Sequence, residues 1–152
     1  MTAVAFASRD TPQAMPEEST TPDLVELSRR FHEAASRLDF DAMVSFYAPD
    51  AVWDGRASGM TFEGRTAIRG FWEDVTVAYE EFEFQPEEIL DLGNGVIFQV
   101  ALQKGRPVAS IGYVQLRYAA VVVWAKGLIE RVTLYNDPDE ARAAERLAGE
   151  RG

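Results

Sequence analysis

The chain of 152 residues contains no cysteine and only one histidine, His32. The lack of thiols excludes disulfides, thiolate zinc sites, iron–sulfur clusters and cysteine nucleophiles. Catalytic zinc ions usually take several histidine ligands, so a single histidine argues against a zinc enzyme. The sequence therefore predicts a protein that uses no metal ion and no cofactor.

Basic residues are also scarce. The 15 lysines and arginines stand against 25 aspartates and glutamates, which gives a formal net charge of −10, and the only lysines are Lys104 and Lys126. An acidic surface repels phosphate groups. Neither a nucleic acid nor an anionic membrane is therefore expected as a partner.

Long apolar runs are missing as well. The longest is Tyr118–Ala125, which has the length of a buried strand and falls far short of the ~20 residues that cross a bilayer. The first basic residue is Arg9, so no charged segment precedes an apolar stretch as it does in a secretory signal. We therefore expect no membrane segment and a cytoplasmic location.

The apolar residues that are present first follow a helical period. Residues 1–21 carry prolines and no sustained period, which indicates a tail ahead of one domain at 22–149. A first helix is expected to begin at Thr21 or Pro22, with Thr21 as its N-cap. A second helix follows with Asp39 or Asp41 as its cap, and a third is expected from Arg65 to about Glu80.

From Glu81 onward the period changes to that of β-strands. After a short strand at 51–54 and the third helix, strands are expected from residue 81, at 96–103, at 110–125 and at 128–135, with a final helix at 139–149. The turn Gly93-Asn94-Gly95 is typical of a hairpin. Helices followed by a meander predict an α+β fold in which the helices cover one face of an antiparallel sheet.

Alternation along the strands predicts which side chains face the helices. The inward set is expected to include Val100, Leu102, Tyr118 and Leu134. The outward set mixes polar and aliphatic side chains: Ile97, Gln99, Gln103, Gln115, Arg117, Ala119, Val121, Val123, Ile129, Arg131, Thr133 and Tyr135. An aliphatic patch of this size predicts a homodimer formed through the outer sheet face.

Three segments, Asp39–Trp53, Phe62–Trp72 and Gly127–Ala141, resemble a known superfamily. In their order along the chain they are similar to the cone-shaped, nuclear transport factor 2-like (ketosteroid isomerase-like) proteins, and within them to the SnoaL-like family. The resemblance covers about residues 23–149. It implies a curved antiparallel sheet wrapped on three helices, a C-terminal helix and an apolar pocket at the wide end of the cone.

The resemblance also identifies the positions at which isomerases of this fold carry their chemistry. Their tyrosine donor falls at Phe31, their base at Gly55 and their protonated acid near Ala120. None of these side chains transfers a proton. Asp54, next to Gly55, is the remaining candidate base, provided that a bulge turns it inward.

Two further chemistries of the same fold lack their residues. The aspartates and arginine of the epoxide hydrolases fall near Val100, Leu102 and Leu134, which are apolar. Polyketide cyclases need an acid–base aspartate deep in the pocket, and the strand at 110–125 contains no Asp or Glu. A specific reaction is therefore not assigned.

The sequence favours binding of a small, largely apolar molecule in the pocket. The predicted walls are Phe31, Trp53, Met60, Trp72, Val100, Tyr118, Leu134 and Asn136. One alternative is a cofactor-free isomerase or polyketide cyclase-like enzyme with Asp54 as base, assisted by Tyr118 or His32. A second alternative is a non-catalytic, dimeric interaction module whose cone is filled by its own side chains.

Overall fold

A computed structural model describes residues 23–56 and 58–135. The predicted tail at 1–21, the cap Thr21, the pocket residue Asn136 and the final helix at 139–149 lie outside the described residues. The helices are α1 (Leu24–Ser36), α2 (Phe40–Ser45) and α3 (Arg65–Val77). None of these described helices is both long and apolar enough to span a bilayer.

The helix termini follow ordinary capping chemistry. Asp39 caps α2 as predicted, because its Oδ1 accepts a hydrogen bond from the Ala42 N–H at 3.1 Å. The predicted start of α1 is wrong, since Asp23 is the N-cap and accepts from the Glu26 N–H at 3.1 Å. Gly64 precedes α3 with φ of 89°, a conformation that favours glycine.

Six strands form one mixed sheet in the order β2-β1-β6-β5-β4-β3. They are β1 (Tyr47–Gly55), β2 (Met60–Glu63), β3 (Tyr79–Gly93), β4 (Val96–Pro107), β5 (Val114–Ala125) and β6 (Leu128–Tyr135). The antiparallel meander β3–β6 was predicted. The expectation of a wholly antiparallel sheet is wrong at one pair, because β1 runs parallel to β6. Two parallel neighbouring strands need a long connection between them. Between β1 and β6 this connection contains α3 and the preceding strands of the meander.

The helices pack on one face of this sheet. Ser36 at the end of α1 makes two hydrogen bonds with Phe84 of β3: its hydroxyl donates to the carbonyl at 3.1 Å and accepts from the N–H at 3.0 Å. The main core lies between the helices and this inner face and includes Met43, Trp53 and Ile68. The cone-like α+β arrangement that the sequence predicted is confirmed.

The predicted faces of β4 are reversed. Val100 lies opposite Ala119 on the outer face, where it joins a second buried cluster. Ile97 belongs instead to the main core on the helix side, and Gln99 and Gln103 share that side. All residues from Val96 to Ala101, including Gln99, are buried, so both faces of this part of β4 are covered and alternation does not indicate which face meets the helices.

A bulge changes the expected orientation of Ile129. Val123 lies opposite Arg131, but the next residue of β5, Trp124, lies opposite Ile129. The extra residue, Glu130, reverses the alternation at the start of β6. Ile129 therefore packs in the main core, and its predicted place on the outer face is wrong.

Gly105 of β4 is a position where the sheet needs glycine. A Cβ there would lie 2.6 Å from the Tyr79 ring and 3.0 Å from the Glu81 carbonyl oxygen. We predict that Gly105→Ala lowers the free energy of unfolding in urea by about 1–3 kcal/mol, because backbone must move. Gly70→Ala is the matched control, since nothing lies within 4 Å in the interior of α3; it should raise stability by about 0.5–1 kcal/mol. Equal effects of the two substitutions would contradict this packing.

Candidate functional site

A cavity of about 300 Å³ lies between the helices and the inner face of the sheet. Its walls are aromatic: Phe31 comes from α1, Trp53 from β1, and Phe71 and Trp72 from α3. The Trp53 and Phe71 ring centres are 4.3 Å apart. Because alternate residues of a strand share one face, β5 supplies the floor with a row that includes Tyr118 and Trp124.

Two of the residues that line the cavity are exposed: Met60 on β2 by 46% and Leu116 on β5 by 54%. Gly55 also lines the cavity, and a Cβ at this position would lie 2.6 Å from the Trp53 ring. The Trp53 ring therefore occupies the space that a side chain at position 55 would need.

Six of the eight predicted wall residues line the cavity: Phe31, Trp53, Met60, Trp72, Tyr118 and Leu134. Val100 does not, because it lies on the outer face of β4. Asn136 is outside the described residues.

Asp54 does not reach the cavity. Its neighbours Trp53 and Gly55 both line it, so alternation turns Asp54 to the other side of β1. There its carboxylate accepts a hydrogen bond from Arg131 at 2.8 Å. The bulge that the catalytic alternative required is absent at this point of β1, where Asp54 pairs regularly with Thr61 and Thr133.

His32 lines the cavity and is 2% exposed. Its Nε2 lies 3.4 Å from the Gln99 side-chain amide, and its Nδ1 has no hydrogen-bond partner among the described residues. Burial lowers the pKa of His32 to about 4, although the backbone of Ser28 opposes the shift in part. The imidazole is therefore neutral at pH 7. The sequence did not predict Gln99 as its neighbour, because the alternation placed this residue on the outer face of the sheet.

Two buried tyrosines, Tyr47 and Tyr118, also line the cavity. Tyr47 begins β1, is 1% exposed and was not among the predicted pocket residues. Burial raises the pKa of Tyr47, and the Trp72 side chain opposes this shift in part. Burial also raises the pKa of Tyr118, and the nearby Tyr47 raises it further. Both side chains are therefore neutral phenols at physiological pH.

The described lining contains no Asp, Glu, Lys or Arg side chain. Within residues 23–56 and 58–135, no group of three or more His, Asp or Glu side chains is placed to hold a metal ion. The cavity can therefore exchange hydrogen bonds with a ligand, but its described walls supply no ionised carboxylate that would act as a base.

The same fold occurs in solved structures of the ketosteroid isomerase-like and nuclear transport factor 2-like class. A Catenulispora acidiphila protein with a ketosteroid isomerase-like fold, in complex with trimethylamine, is 18% identical with a TM-score of 0.66 over 76% of this chain and 86% of that one. A Burkholderia pseudomallei protein of unknown function is 20% identical, with a TM-score of 0.66 over 79% of this chain and 95% of that one. A proposed polyketide cyclase from Sinorhizobium meliloti is 25% identical, with a TM-score of 0.60 over 76% of this chain and 95% of that one.

Within this class the chain belongs to the SnoaL-like domain family, whose model matches residues 28–132. The predicted family is thereby confirmed. The matched region runs from Ser28 in α1 to Val132 in β6 and thus includes most of the residues that line the described cavity. No curated protein matches the chain in sequence.

The buried His32 predicts how stability depends on pH. Its pKa is 6.5 ordinarily and about 4 in the folded chain, so between these values the unfolded chain binds the proton and the folded chain does not. Stability should therefore fall as pH decreases from 6.5 toward 4, by up to about 3 kcal/mol at the low end.

The measurement is urea unfolding at pH 7.5 and 4.5, compared between the native chain and His32→Leu. The variant lacks this proton-binding group, so its stability should change less between the two pH values. Because His32 is the only histidine, its own titration also appears as a single imidazole signal in NMR. An imidazole pKa near 6.5 in the folded protein would contradict the prediction.

Proposed function

We propose that this protein binds a small, uncharged and largely apolar molecule in the cavity. The observation that carries the proposal is a cavity of about 300 Å³ with aromatic walls and no ionised side chain in its described lining. This volume is at the lower end of the range of ligand sites, which runs from about 300 to 1,000 Å³. A flat cyclic molecule would fit the space between rings from α1, β1 and α3.

Charge supports an uncharged ligand. A charged group that enters an apolar cavity loses its hydration and needs a partner of opposite sign. The described lining offers none, and the net charge of −10 further disfavours an anion. The rings, in contrast, replace water around an apolar ligand at no electrostatic cost.

The two alternatives that the sequence left open receive less support. An isomerase-like or cyclase-like enzyme would need a base, and Asp54 lies outside the cavity in an ion pair with Arg131. Tyr118 and His32 remain in the lining, but the raised pKa of Tyr118 makes it a weak acid and the lowered pKa of His32 makes it a weak base. An interaction module with a filled cone is difficult to reconcile with the open volume. The trimethylamine in the Catenulispora protein shows a small molecule bound to a relative in fold.

A matched pair of dyes tests the charge requirement. N-phenyl-1-naphthylamine is neutral, and 1-anilinonaphthalene-8-sulfonate has the same rings with an added sulfonate. We predict that the neutral dye binds at least about tenfold more tightly, because the sulfonate would have no cation in the cavity. Dye emission and quenching of tryptophan emission both report binding, since all three tryptophans line the cavity. Tighter binding of the sulfonate would contradict the proposal.

Two neighbouring alanines locate the binding site. Ala120 lines the cavity, whereas Ala119 lies in the outer cluster. Ala120→Leu should fill part of the cavity and weaken binding of the neutral dye by about tenfold or more. Ala119→Leu adds the same volume to the same strand on the opposite face, so it should lower stability without weakening binding. Equal affinities of the two variants would place the dye elsewhere.

The homodimer through the outer sheet face and the cytoplasmic location stay predictions. Val121 and Val123 are only 3% and 6% exposed within one chain, so these side chains do not form the open patch that motivated the dimer. Leu90, on the same face, is 41% exposed. Sedimentation equilibrium tests the oligomeric state. A mass of twice the 16.9 kDa of one chain would confirm the dimer, and the mass of one chain at micromolar concentration would contradict it.

A further inference from the structure

Met60 combines exposure to solvent with a place in the cavity wall. It lies on β2 opposite Gly55 of β1, lines the cavity and is 46% exposed. Met43, the other methionine among the described residues, is 2% exposed and belongs to the main core. Met1 and Met15 lie outside the described residues. Of the two described methionines, Met60 is therefore the one that a small reagent in water reaches more easily.

Sulfur chemistry in this chain belongs to methionine alone, because the sequence contains four methionines and no cysteine. A peroxide that meets this protein finds no thiolate, the sulfur group that oxidants attack most readily. The thioethers remain, and their reaction with an oxidant depends on access. The difference in exposure between Met60 and Met43 therefore predicts a selective reaction at the cavity wall.

We propose that Met60 is an oxidation site at which a peroxide reversibly weakens ligand binding in the cavity. A lone pair of the thioether sulfur attacks one oxygen of hydrogen peroxide, so that an S–O bond forms and the O–O bond breaks. The proton of the attacked oxygen passes to the other oxygen, which leaves as water. The sulfur loses two electrons and the peroxide gains them. This inference rests on the proposed function, because it concerns the affinity of the same cavity.

The product, methionine sulfoxide, is polar where the thioether is apolar. Because Met60 is partly exposed, water can solvate the new oxygen in the free protein, and the fold should tolerate it. An apolar ligand that covers Met60 removes this water and offers no hydrogen bond in exchange. The cost falls on the complex, so affinity should fall by about threefold to tenfold.

The first measurement is the rate of oxidation at each methionine. The chain is treated with dilute hydrogen peroxide at neutral pH, and peptide mass spectrometry follows the addition of one oxygen atom. Met60 should react at least about tenfold faster than Met43 in the folded chain, because the core excludes the reagent. In concentrated urea the two rates should agree within about twofold. Equal rates in the folded chain would contradict the proposal.

The second measurement is the affinity for N-phenyl-1-naphthylamine after the peroxide has been removed. The native chain should bind this neutral dye about threefold to tenfold more weakly after oxidation than before it. Met60→Leu keeps a similar apolar volume without sulfur, and its affinity should change by less than about twofold on the same treatment. Because each chain is compared with itself, any difference in starting affinity does not affect the result.

Two further variants of the experiment separate polarity from damage. Met60→Gln has a polar side chain of similar length, so it should bind the dye more weakly than Met60→Leu without any peroxide. Methionine sulfoxide reductases of both stereospecificities, each of which reduces one epimer, should restore the affinity of the oxidised native chain. Affinity that does not recover once mass spectrometry shows Met60 reduced would contradict a reversible site.

The outcomes distinguish this inference from the proposed function. If Met60 is oxidised and the dye affinity stays within about twofold, the oxidation site is wrong as a control of binding while the apolar cavity stands. If Met60→Leu loses as much affinity as the native chain, another residue is responsible and the inference is again wrong. If the untreated native chain does not bind the dye, the proposed function fails, and the control of its affinity fails with it.

Discussion

Phe31 is the residue at which the three helices meet the first strand. Its ring makes edge-to-face contacts with Phe46 at the end of α2, Tyr47 at the start of β1 and Trp72 in α3, with ring centres 5.8, 5.7 and 6.3 Å apart. Such pairs fix the mutual orientation of rings as well as burying their area. Because Phe31 also lines the cavity, the contact that assembles the helices also determines the shape of the site.

The chain separates its charges from this site by strand alternation. On β1, Trp53 faces the cavity while the next residue, Asp54, pairs with Arg131 on the opposite side. On β5, Tyr118 faces the cavity while the preceding Arg117 pairs with Glu87 at 2.7 Å. Exposed ion pairs of this kind contribute little to stability. Their consequence here is that the same strands present charge to solvent and neutral rings to the ligand.

The sequence predicted strand faces correctly where the alternation of polar and apolar residues matches the alternation of exposed and buried side chains. The inward row of β5 follows from Gln115 and Arg117, which place the polar face outward. On β4 both faces are buried, so the pattern could not show that Gln99 faces the helices. The bulge at Glu130 and the parallel pairing of β1 with β6 depend on contacts between distant segments. A register of this kind is not visible in the alternation of one strand.

The cavity carries no proton-transfer group at the positions that the resemblance assigns to isomerases of this fold. The positions that the resemblance assigns to their tyrosine, base and acid are Phe31, Gly55 and Ala120, and all three line the cavity. At Gly55 the Trp53 ring leaves no room for a side chain. Polar groups lie elsewhere in the lining, and among them His32, Tyr47 and Tyr118 are neutral at pH 7. A general base works best when its pKa lies near the working pH, and burial keeps the pKa of His32, at about 4, far below that range.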